Sequence, residues 1–172
     1  MIRVLALLAL AAPAHAGSDL FEGALQPGLA AAYPEFSAGL VDCLSFNREG
    51  HDAPIGEDGT INGDGFAYTI FYPELTQPFP FMVAVSSSGG ILNCSGQGAA
   101  SLPIDDPLWP EVETLMEAAG MIEMDFPPPV RVYADCEAGR AVMFSDAGGT
   151  YLFAAMTGPN PASYCANFGP KG

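Results

Sequence analysis

Positive charge is scarce in this chain. Five Lys+Arg stand against 20 Asp+Glu in 172 residues, a formal net charge of −15. A nucleic-acid-binding face is a stripe of basic side chains matched to phosphates, and five such residues cannot build one. The same negative field repels nucleotides, and no glycine-rich phosphate loop with its Lys leads into a helix. Histidine is equally short, at two residues. His15 falls in a segment expected to be removed, which leaves His51 as the available imidazole for a serine triad. No G-x-S-x-G surrounds Ser86, Ser87 or Ser88. The absence of a C-x-x-C argues against a redox dithiol or a closely spaced zinc cluster. No apolar run reaches the roughly 20 residues that a membrane-spanning helix needs. Hydrophobic residues, at 49%, are plentiful enough to exclude wholesale disorder.

The N-terminus carries an export pattern. Arg3 supplies a basic start, residues 4–12 are unbroken apolar sequence, and Ala14-His15-Ala16 follows Pro13 as an A-x-A cleavage site. Residues 1–16 are therefore expected to be a signal peptide. Residues 17–172 are expected to form one domain in the bacterial periplasm or outside the cell. The mature chain then holds four basic and 20 acidic residues. It also holds four cysteines, Cys43, Cys94, Cys136 and Cys165, an even number that reads as two disulfides in an exported chain. Of the three pairings, Cys43–Cys94 with Cys136–Cys165 is favoured because each bridge closes one compact half of the chain.

Periodicity predicts an α+β fold. A loose lead-in over 17–33 is followed by a helix over 34–46, with Phe36, Leu40, Cys43 and Leu44 on one stripe. A second helix places Trp109, Val112, Leu115, Met116 and Ala119 inward, with Pro110 near its start and Gly120 as its stop. Strand patterns cover 66–72, 81–85, 91–94, 130–136, 140–145 and 150–156. Asp58-Gly59 is expected to turn a small hairpin between Ile55 and Ile61. The assembled expectation is an antiparallel sheet of about five or six strands, two helices packed on one face and two disulfides. Part of the second face is expected to lie under the 47–65 loop and a Gly/Pro-rich tail from Thr157 to Gly172 that only the Cys165 bridge holds down. The run Ser86-x-x-Gly89-Gly90 recurs as Ser145-x-x-Gly148-Gly149, with a helix before the strands in each half. This echo is read as shared hairpin chemistry rather than as a duplicated unit.

Candidate chemistry is sparse. Asp58, Thr60, Asn62 and Asp64 follow calcium-loop spacing, with Gly63 at the sharp turn. Position twelve is Thr69 in place of the bidentate Glu, so the match is half a motif, and calcium is the one cofactor it suggests. His51, beside Glu49 and Asp52, is the candidate acid/base if the chain is an enzyme. The favoured expectation is a non-enzymatic binding module, an inhibitor or adaptor for a basic envelope protein or another cationic partner, without membrane insertion after signal cleavage. Two alternatives stay open: a small hydrolase-like or ligand-binding domain using carboxylates and His51, and a calcium-ordered structural domain.

Overall fold

A computed structural model of the chain describes residues 21, 23–49, 59–62, 65–71, 82–88, 91–98 and 101–172. The elements run α1 (Pro27–Ala32), α2 (Pro34–Glu49), β1 (Gly59–Asn62), β2 (Gly65–Phe71), β3 (Met82–Ser88) and β4 (Ile91–Gln97). They continue as α3 (Trp109–Ala118), β5 (Ile122–Glu123), β6 (Arg131–Asp135), β7 (Arg140–Asp146), β8 (Tyr151–Thr157) and α4 (Pro159–Asn167). The strands form one sheet in the order β1-β2-β3-β4-β8-β7-β6-β5, antiparallel throughout. The six expected strands are all present, and two short edge strands, β1 and β5, extend the sheet to eight.

α2 forms where the apolar spacing placed it. Pro34 opens it at a position whose missing N–H costs no helical bond, and Phe36, Leu40, Cys43 and Leu44 are all buried. It packs on β3, β4 and β8. α3 buries Trp109, Val112, Leu115 and Met116 against the same face. Its end is a Schellman motif. The Met121 N–H donates to the Met116 carbonyl at 3.0 Å and the Gly120 N–H to that of Glu117 at 2.9 Å, with Gly120 at φ +77°.

The short helix α1 has no capping side chain of its own. Its cap comes from across the chain: the Leu29 N–H donates to Glu111 Oε2 of α3 at 2.6 Å. Gly28 makes this approach feasible, since a Cβ there would sit 2.3 Å from Glu111 Oε1. The lead-in thus contains a docked helix, with Leu29 and Phe21 in the core.

The sheet has a helical layer on each face. α1 to α3 cover one face over Val83, Cys94, Tyr133, Val142, Phe144, Tyr151, Phe153 and Ala155. At its centre the Trp109 ring meets Phe144 edge-on at 5.0 Å and Tyr151 at 4.6 Å. Such ring pairs contribute about 0.5–1.5 kcal/mol each beyond area burial. The other face buries Met124, Val132, Ala134 and Ala141 beneath Tyr164, Cys165 and Phe168, which α4 and its exit supply. The tail therefore contains a helix where only loose chain was expected. Pro159 and Pro161 occupy the first turn, where proline breaks nothing, so their presence does not exclude a helix there.

Both disulfides pair as favoured. Cys43–Cys94 ties α2 to β4, and Cys136–Cys165 ties the end of β6 to α4. With sequence separations of 51 and 29, loop-closure entropy gives each about 4 kcal/mol. Of the expected hairpin between Ile55 and Ile61, residues 55–58 lie outside the described residues. Gly59 lies within β1 opposite Tyr68, and β1 pairs with β2 as far as Asn62, the partner of Gly65. The triplet Asn93-Cys94-Ser95 has N-x-S form but lies inside β4, between β3 and β8, with Cys94 disulfide-bonded. No helix among the described residues is long and apolar enough to cross a membrane.

Candidate functional site

The calcium-spaced residues are only half placed. Thr60 and Asn62 lie in β1, opposite Ala67 and Gly65 of β2. An extended, paired backbone differs from the curled loop that wraps a calcium ion. Asp58 and Asp64 lie outside the described residues, as do His51 and residues 1–16. Among the described residues, no group of three or more His, Cys, Asp or Glu is placed to hold a metal ion. All four cysteines are in disulfides.

The described charges are arranged unevenly. Each of the three basic side chains described is held by a carboxylate. Arg131 Nη1 meets Glu113 Oε1 at 3.2 Å, Arg140 Nη2 meets Asp135 Oδ2 at 2.5 Å and Lys171 Nζ meets Glu123 Oε1 at 2.7 Å. Asp105, Glu117, Asp125 and Glu137 are exposed and carry no ion pair among the described residues. Burial works to raise the Asp135 carboxyl pKa, but the Ala138 N–H at 2.9 Å and the Arg140 guanidinium outweigh it and hold the group below its ordinary value.

Arg131 packs against an aromatic ring. Its guanidinium lies 4.3 Å over the Trp109 ring, so the charge is shared between an aromatic face and Glu113. Beneath it, Tyr133 is 3% exposed, and its hydroxyl lies near Arg131 and the Trp109 indole without a well-formed hydrogen bond to either. Burial, seconded by the charge of Glu123, pushes the Tyr133 hydroxyl up to about 12. On the helical side, Asp106 accepts the Tyr33 hydroxyl and the Leu108 N–H. That hydrogen bond, with burial, pushes Tyr33 up to about 12 as well.

The β5 edge gathers backbone pairing and charge in one place. Met124 continues β5 inward, its N–H donating to the Val132 carbonyl at 2.8 Å. The outward groups of its neighbours are taken by residues 169–171. The Asp125 N–H donates to the Gly169 carbonyl at 2.8 Å, and the Lys171 N–H donates to the Glu123 carbonyl at 2.9 Å. Met124 and Pro170 form an antiparallel bridge between them. Lys171 is about half exposed, so its ion pair with Glu123 adds at most about 1 kcal/mol. The two hydrogen bonds add about 1 kcal/mol each. Pro170 has no N–H to present outward, which keeps this added strand from templating another. Ile122, beside the contact, is 50% exposed. The sequence reading missed this edge, because a two-residue strand has no measurable period. Its one signal was Lys171, the one charged side chain in the Thr157–Gly172 tail.

The fold and its surface define an α+β, disulfide-stapled protein whose described cations are internally neutralised and whose short sheet edge is filled by its own chain. The chain matches no protein-family model, no curated protein and no solved structure.

Proposed function

We propose that this chain is an exported, non-enzymatic interaction module whose partner is a basic protein of the cell envelope. The observation that carries the reading is the state of its cations. Arg131, Arg140 and Lys171 are each committed to an internal carboxylate, while exposed carboxylates at Asp105, Glu117, Asp125 and Glu137 are left for an outside charge. A uniform field of this kind speeds encounter with a cationic surface and disfavours anionic partners. Two disulfides suit an oxidising compartment and give the rigid surface that binding without large reorganisation favours. The export pattern over residues 1–16 supports the same location.

The test has two stages. Oxidised protein comprising residues 17–172 is immobilised and exposed to envelope extract, and the most salt-resistant protein retained is purified. That protein is then titrated calorimetrically against the free chain at rising salt. The expected result is saturable 1:1 binding by a basic protein, weakening by at least about tenfold between ~50 and ~200 mM salt as screening sets in. Diffuse, unsaturable retention, or binding indifferent to salt, overturns the reading.

A further inference from the structure

This inference rests on the reading of the chain as a binder of basic proteins, and it names where and how such a partner is held. We propose that the outer edge of the Ile122–Asp125 segment is a β-strand acceptor site for an extended peptide with basic residues at alternate positions. Residues 169–171 occupy it as an exchangeable internal stand-in.

The edge offers what strand addition requires. The Glu123 carbonyl and the Asp125 N–H point outward two residues apart, and both are satisfied by another segment's backbone. The residues opposite them in that segment are Lys171 and Gly169. Their partners on the edge are both acidic, and residues two apart on a strand share a face. The internal segment answers only one of the two charges. Lys171 pairs with Glu123 at 2.7 Å, but Gly169 offers no side chain to Asp125, which stays exposed and without an ion pair among the described residues. The space is there: a Cβ built on Gly169 meets nothing within 4 Å, and the backbone at Gly169 is not in the left-handed region. A partner strand with Lys or Arg at both positions would therefore make the same two backbone bonds and one more charge contact than the chain makes with itself. The stand-in is also lightly held. Residues 169–172 are all exposed, while the residues that anchor the chain just before them, Phe168 on Phe126 and Cys165 in its disulfide, lie outside the exchanged stretch. Tethering gives the stand-in a high effective concentration, so the intact chain restrains binding that a freed edge would allow.

The test uses a fluorescein-labelled peptide, acetyl-Ser-Lys-Val-Lys-Ser-amide, and its Glu-for-Lys counterpart, titrated by anisotropy. They are offered to the full chain, to the chain lacking residues 169–172, and to the full-length variants Lys171→Glu and Gly169→Lys. Removal of 169–172 and Lys171→Glu are each expected to tighten binding of the Lys peptide by about tenfold or more. Gly169→Lys completes the internal match and is expected to weaken that binding several-fold. The Glu peptide is expected to bind none of them. Hydrogen exchange should show the Asp125 amide exposed by truncation and protected again by the Lys peptide. Equal affinities across the four proteins overturn the proposal. So does dimerisation of the truncated chain in place of peptide uptake, which would make a second copy the occupant. If the envelope partner of the previous section still binds while the peptide results are flat, the edge assignment fails and the broader reading stands. If the peptide series behaves as expected but no envelope partner is retained, the reverse holds.

Discussion

Tyr133 sits 3% exposed under Arg131, its hydroxyl buried without a hydrogen-bond partner. A buried polar group in that state costs stability, so its removal should not harm the fold. Tyr133→Phe is expected to leave unfolding stability unchanged or raise it by up to about 1 kcal/mol, measured by urea denaturation at pH 7. The same residue predicts an alkaline effect. Tyr133 and Tyr33 hold their protons to about pH 12 in the fold, against about 10 in an unfolded chain. The unfolded chain therefore loses these protons first, and the contribution present below pH ~10 is lost as pH climbs towards 12. Wild-type stability should fall across that window, and the fall should shrink in Tyr133→Phe. A single tyrosine step near pH 10 in absorbance titration, accounting for all six tyrosines, would contradict this. The sequence marked Trp109 as a core residue by its helical spacing. It gave no sign that Arg131 would lie over the indole, because that contact joins a helix to a strand 22 residues later.

Among the elements, α2 and α3 were legible and α4 was not, for one reason. The first two carry four or five apolar residues at helical spacing, a pattern that specifies both the helix and its buried face. α4 is nine residues of mixed character with two prolines, and its apolar residues gain a meaning only from Met124, Val132 and Ala134 of the strands beneath it. The disulfides divide in the same way. Cys43 and Cys94 are fully buried between α2 and β4, whereas Cys136 is exposed beside α4. A thiolate must reach a sulfur to reduce it. Mild dithiothreitol under native conditions is therefore expected to open Cys136–Cys165 and leave Cys43–Cys94 closed until the chain unfolds. Alkylation followed by mass mapping reads this directly, and labelling of Cys43 at the same rate as Cys136 would refute it.

At the scale of the whole molecule, the two halves share a plan. Each is a helix followed by a four-stranded meander, α2 with β1 to β4 and α3 with β5 to β8, and the last strands of the two meet antiparallel at the centre of the sheet. The Ser-x-x-Gly-Gly echo falls at the corresponding β3–β4 and β7–β8 hairpins. The sequence reading assigned that echo to turn chemistry alone, but the repeated topology extends it to whole units. Charge also acts at this scale. A net charge of −15 makes the compact state repel itself, while the three described ion pairs, all partly exposed, offer little to screen. Self-repulsion should win that comparison. Raising NaCl from about 20 to about 500 mM is expected to lift the Tm by roughly 3–5 °C, and a Tm that falls would show that the ion pairs dominate.

The sequence by itself determined the class of the protein. The apolar periods, the turn residues, the even cysteine count and the charge balance are local or additive properties, and they yielded the α+β antiparallel fold, the expectation of two disulfides with the observed pairing favoured among three, and the acidic charge balance. Tertiary structure alone decided three things. It placed Glu111 at the start of α1, 82 residues away in sequence. It turned a Gly/Pro-rich tail into a helix covering the second face of the sheet. It also set Lys171 against Glu123 on a two-residue strand, the contact on which the proposed strand-acceptor site rests. Each depends on which distant segments share an edge or a face, a choice made by the packing of the complete chain and encoded in no single stretch of it.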